Sequence, residues 1–231
     1  MKILKIRLKT QKLEELKSFY IHKLHFAPLA DEKNYFSFQA GTSILEFEKD
    51  QSDASAPNYH FAFNIPKNLL EEAKNWLYAQ NLSLLAQDGN DTIDFPNWNA
   101  KALYFIDPAD NIVEFIARYD LDNELPGPFT AQSICEISEI GLPVPSVKAM
   151  YEILLQEFEL PVYSHISNMD TFCAAGDPQG LLIIVSLERP WFLTNTLNGT
   201  YPTEIVVEGK YNHQKSLNHL PYRIESVSHK S

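Results

Sequence analysis

One pattern constrains this chain more than any other feature: a short strand of alternating apolar residues, an amphipathic helix, then further strands, returning along the sequence. In residues 2–9, Ile6 and Leu8 share one face while Lys5, Arg7 and Lys9 share the other, the alternation of a half-buried strand. Leu13, Leu16, Tyr20 and Leu24 then recur at helical spacing. Two strands follow at 35–39 and 43–48, joined by Ala40-Gly41-Thr42, with Ile44, Glu46 and Glu48 on one face of the second. The pattern restarts at 59–65, where Phe61, Phe63 and Ile65 oppose His60, Ala62 and Asn64. Pro66 then opens a helix carrying Leu69, Ala73, Trp76 and Leu77.

The second copy ends in KALYFIDPADNIVEFIAR, residues 101–118, which reads as two strands around a turn made by Asp107-Pro108-Ala109-Asp110-Asn111. Val113 and Phe115 face one way, and Ile112, Glu114 and Ile116 the other. Glu114 is thus a carboxylate in an apolar strand, expensive to desolvate without a cation, donors or a metal. A third copy runs from Glu139 through a helix opened by Ser146, with Val147, Met150, Leu154 and Phe158 on one stripe, to strands at 172–175 and 181–187. A strand at 203–207 starts a fourth, incomplete copy, because the polar tail after it shows no amphipathic helix. Aligned on their apolar faces, the four starts place Lys5, His60, Glu139 and Glu204 at equivalent positions.

Internal repetition of a helix-covered sheet predicts an α+β chain of βαβββ modules: curled mixed sheets, helices outside, a mostly polar face inside. The expected organisation is a two-module domain over residues 1–119, a linker over 120–133 and a third module plus part of a fourth over 134–231. A net charge of -11 and a pI near 5.0 argue against non-specific binding to nucleic acid or anionic membranes. No apolar run approaches a membrane span and the start has no signal-peptide core, so a cytoplasmic location with Cys135 and Cys173 reduced is expected. Phosphate-binding glycine loops, nucleophile elbows and paired CxxC motifs are absent from the sequence. Trp98, Tyr104 and Trp191 are candidates to line a pocket for an aromatic or apolar ligand. His213, His219 and His229 sit in the polar tail and are read as non-ligating.

The modules resemble the vicinal oxygen chelate superfamily, which includes glyoxalase I, bleomycin resistance proteins and extradiol dioxygenases. ALYFIDPADNIVEFI is similar to that family's closing hairpin with its acidic metal ligand; LEELKSFYIHKLHF and YHFAFNIP are weaker matches to its first helix and second module start. Carried onto this sequence, the resemblance implies a site at Lys5, Glu46, His60 and Glu114, where the family usually has His, Gln or Glu in place of Lys5. Alternation independently puts these four on inner faces, together with Arg7 and Tyr104.

Two accounts fit these residues. In one, Glu46, His60 and Glu114 hold Fe, Mn, Ni or Zn, a glutamate (Glu114 or Glu46) moves protons, and Lys5, Arg7, Tyr104 and Trp98 contact a small substrate with adjacent oxygen atoms. In the other, the Lys5 ammonium replaces the metal between Glu46 and Glu114, and the chain is a metal-free binding or resistance protein. The resemblance further implies that the first two modules share one site, within the chain or across a homodimer. The C-terminal half is expected to be a structural or pocket-covering remnant.

Overall fold

The computed structural model describes residues 1–52, 55–163, 168–217 and 219–228; His229 lies outside them. Module one contains β1 (Ile3–Thr10), α1 (Leu13–Lys17) continued by a π-helical segment (Ser18–Lys23), β2 (Ala27–Glu32), β3 (Tyr35–Ala40) and β4 (Ser43–Lys49). Module two has β5 (His60–Ile65), α2 (Leu70–Ala79), β6 (Ile93–Phe95), β7 (Ala100–Ile106) and β8 (Ile112–Arg118). Module three is β9 (Glu136–Val144), α3 (Val147–Phe158), β10 (Phe172–Asp177) and β11 (Gly180–Ser186); module four is β12 (Thr203–Gly209), β13 (His213–Ser216) and β14 (Tyr222–Ser228), with no helix among its described residues. The result is an α+β fold with mixed sheet and few helices. Among the described residues no helix is long and apolar enough to cross a membrane.

Strand pairing does not join the first two modules to each other, as the resemblance had implied. β1 lies between β4 and β12, so module one pairs with module four; β5 lies between β8 and β9, so module two pairs with module three. The pairing therefore runs across the boundary between residues 1–119 and 134–231. The two halves meet where Ile3 pairs with Ile137. There the buried Ser43 hydroxyl donates to the Ile3 carbonyl at 2.5 Å and accepts from the Ile137 N–H at 2.9 Å.

Alternation explains where each strand buries its apolar residues. Ile6, Leu8, Leu45 and Phe47 lie under Leu13, Leu16, Phe19 and Tyr20 of the first helical segment, in a core that runs through Phe61, Phe63 and Phe115 to α2 and α3. The DPADN turn is anchored in this core: Asp107 accepts from the Tyr20 hydroxyl at 2.8 Å and from the backbone N–H groups of Ala109 and Asn111. Asp110 takes the left-handed backbone expected of a turn aspartate, at φ 63°. Ser146 caps α3 by accepting from the Ala149 N–H at 3.3 Å.

The opposite faces of the two halves differ, and only one matches the mostly polar face expected. In the half made by modules one and four, that face carries Lys5, Arg7, Lys9, Glu46 and Glu48. In the half made by modules two and three, Ala62, Ala102, Ile112, Ile116, Leu181 and Ile183 form a second apolar cluster. A few charged side chains stand in this apolar floor, at sites where desolvation demands compensation.

Candidate metal centre and cavity

Strands β5, β8 and β9 are neighbours, and each presents one ionisable side chain to the same point. Ala62 is the Cα partner of both Glu114 on β8 and Glu139 on β9, which brings the two carboxylates together beside His60. His60, Glu114 and Glu139 are all buried, and one ligand atom from each lies within 4.8 Å of the others. His60 Nε2 is 3.6 Å from Glu114 Oε2 and 3.7 Å from Glu139 Oε2. Its Nδ1 lies 3.2 Å from the Ile112 carbonyl, and an N–H donated there leaves Nε2 free for the carboxylates.

The electrostatics are those of a site short of positive charge. Burial, then the Glu139 carboxylate, push the Glu114 carboxyl up to about 8. Burial opposes protonation of His60, but Glu139 and Glu114 outweigh it and raise its pKa above the usual histidine value. The Tyr104 hydroxyl, bonded to Glu114, is held well above the ordinary tyrosine range by burial and by both carboxylates. Arg118, fully buried four residues after Glu114, pairs with the other oxygen of Glu139 and stacks on Trp98 at 5.3 Å and Tyr163 at 5.6 Å.

The donor set suits a divalent cation. An imidazole nitrogen and two carboxylates, oriented by the Ile112 carbonyl and by Arg118, match the preferences of Fe, Mn, Ni or Zn. The centre opens on a cavity of about 630 Å³ that leaves room for a substrate. Its walls are aromatic: Trp191 packs 5.3 Å from His60, Phe192 packs on Tyr104, and Phe95 and Phe172 pack on Trp98.

The four positions implied by the resemblance are divided between the two halves. His60 and Glu114 stand together, and Tyr104 and Trp98 line their cavity. Glu46, Lys5 and Arg7 do not join them: Lys5 Nζ is 2.7 Å from Glu46 Oε2, and the Arg7 guanidinium bridges Glu46 to Glu204. The physical reason is the pairing of β1 with β12 instead of β5. Glu139, read from the sequence as part of a remnant, is the third member of the buried group, so the C-terminal half supplies one of its three side chains. Alternation from Glu114 through Ile116 could have exposed Arg118; Glu139 needed knowledge of which strands pair. His213 pairs with Glu157 at 3.0 Å, away from this cavity.

The register makes the two halves directly comparable. Arg7 is the Cα partner of both Glu46 and Glu204, as Ala62 is of Glu114 and Glu139. One half thus has a guanidinium between its two carboxylates, and the other has the methyl group of alanine. Burial works against the Arg7 charge, yet Glu46 and Glu204 hold its pKa above the ordinary arginine value.

No family model and no curated protein sequence matches the chain. Among solved structures, a proposed dioxygenase of Bacillus subtilis aligns with 100% of this chain and 86% of its own, with a TM-score of 0.64 and 13% identity. Lactoylglutathione lyase of Agrobacterium tumefaciens aligns with 49% of this chain and 90% of its own, with a TM-score of 0.42 and 21% identity. A glyoxalase/bleomycin resistance protein/dioxygenase of Nocardioides aligns with 56% of this chain and 89% of its own, with a TM-score of 0.42 and 21% identity. The full-length alignment establishes a shared fold.

Proposed function

We propose that this chain, which has the vicinal oxygen chelate fold, is a metal-dependent enzyme of the lyase, isomerase or dioxygenase kind. Its metal would be held by His60 Nε2 and the carboxylates of Glu114 and Glu139, and its substrate would be a small molecule with adjacent oxygen atoms. The observation that carries this reading is the contrast between halves: where Arg7 neutralises Glu46 and Glu204, the equivalent position opposite is Ala62, beside two buried carboxylates. Arg118 compensates one of them, Glu139, and a divalent cation beside His60 Nε2 would compensate the second carboxylate with a donor set that suits it.

A metal bound there supplies Lewis-acid stabilisation of negative charge on the paired oxygens of a substrate. The chain's own groups prepare the site for that work. Arg118 fixes one oxygen of Glu139 and leaves the other facing His60. The Tyr104 hydroxyl restrains Glu114, and the indole of Trp191 over His60 excludes water from the apolar floor. Glu114 is placed to take up or return a proton at its carboxylate when substrate chemistry requires one. The metal-free alternative placed the Lys5 ammonium between Glu46 and Glu114; Lys5 pairs with Glu46, while Glu114 stands with His60 in the other half, and this favours the metal-dependent reading.

The test is metal binding by protein purified without an affinity tag, stripped with chelator and titrated with Mn(II), Ni(II) or Zn(II). Wild type is expected to take up about one equivalent per chain, and His60→Ala to bind at least about tenfold more weakly. Wild type indifferent to all three metals overturns the reading.

A further inference from the structure

The cavity contains a cation that the proposed metal centre does not use. Arg189 lines it, half-buried, with its guanidinium 4.7 Å over the ring of Phe172. Among the described residues no carboxylate pairs with it: Glu139 has Arg118, and Glu114 faces His60 and Tyr104. Burial moves its pKa downward, with no carboxylate to oppose the shift. The backbone beneath is fixed, since the Arg189 N–H donates to the Ser186 carbonyl at 3.1 Å and the Asn198 amide donates to the Arg189 carbonyl.

A half-buried arginine on an aromatic wall, without a counter-ion, is a receptor for a planar anion. Guanidinium matches carboxylate in shape and offers two parallel donors. Trp98 and Trp191 line the same cavity, while their indole N–H groups are themselves buried, so it is the faces of these rings that they offer to a ligand. The rings of Phe95, Trp98, Phe172 and Trp191 supply stacking surface. Arg189 rests on Phe172 whereas His60 rests between Tyr104 and Trp191, so the cation and the carboxylate pair attach to different parts of the wall.

We propose that the cavity takes an aromatic carboxylate, its ring between the aromatic walls, its carboxylate on Arg189 and its oxygenated end towards His60, Glu114 and Glu139. This rests on the reading of the cavity as the substrate site and adds the substrate's class. Arg189 sets the orientation, because its guanidinium over Phe172 offers the carboxylate a cation on a different part of the wall from His60, Glu114 and Glu139.

Calorimetric titration of chelator-treated protein with naphthalene-2-carboxylate and its neutral amide tests this without a metal. Wild type is expected to bind the carboxylate about tenfold more tightly than the amide. Arg189→Met is expected to erase the preference and Arg189→Lys to keep part of it; Arg189→Gln serves if the methionine variant does not fold. Equal affinities in wild type, no binding of either probe, or a preference that survives removal of the charge overturns the proposal. Metal titration of the same wild-type preparation keeps the two readings apart: loss of metal binding with the carboxylate preference intact sinks the metal centre alone, and the reverse sinks only the substrate class.

Discussion

Two buried carboxylates beside one imidazole cannot both ionise cheaply, and the consequence can be measured on a single residue. Glu114 has a folded pKa of about 8 against 4.5 for the free group, so between those values the folded chain holds a proton that the unfolded chain has released. The stability this contributes is therefore present at low pH and lost as pH rises through the window. His60, whose folded pKa is also raised, acts in the same direction. Metal-free protein should melt several degrees lower at pH 8.5 than at pH 5.5, at about 2–4 °C per kcal/mol for a chain of this size. Glu114→Gln should flatten that slope. A thermal scan in chelator that shows equal slopes for the two proteins would falsify the assignment of the titration to Glu114.

Among the elements, β9 carries most of what the sequence concealed. Its residues are buried on both faces, so no polar and apolar alternation marks which side chains point into the cavity. The starts of modules one to three and the DPADN hairpin were legible because alternation and turn chemistry are local properties. β2, exposed along most of its length and carrying Pro28, and β13 and β14 in the polar tail were not, because none shows a clean apolar alternation and pairing with β3 and β12 stabilises them. β9 also explains a glycine: a Cβ on Gly141 would lie 2.2 Å from the Trp191 indole, which occupies the space above that strand. Gly141→Ala should displace the indole, red-shift tryptophan emission and destabilise the protein by about 1–3 kcal/mol. An unchanged spectrum with an unchanged Tm would show that Trp191 is not seated on β9 as described.

At the scale of the whole molecule, the chain is two halves of one plan, with Arg7 between the two carboxylates of one half and Ala62 at that position in the other. Lys5, Arg7, Glu46 and Glu204 in one half stand at the register positions of His60, Ala62, Glu114 and Glu139 in the other. Sequence alone could show the repeated starts but not that the first module closes with the fourth, since long-range pairing leaves no local mark. If the charge of Arg7 replaces a metal, removing it and supplying an imidazole should open a second site. The double substitution Lys5→His with Arg7→Ala is expected to raise metal uptake from about one to about two equivalents per chain, and to be less stable than wild type without metal because Glu46 loses both cations. The converse pair, His60→Lys with Ala62→Arg, should abolish uptake while leaving a protein whose melting temperature no longer responds to chelator. Elemental analysis and thermal scans read both. If the first variant still binds one metal and the second still binds one, the two halves are not equivalent in the way their register implies, and metal binding does not depend on the lack of a cation at position 62.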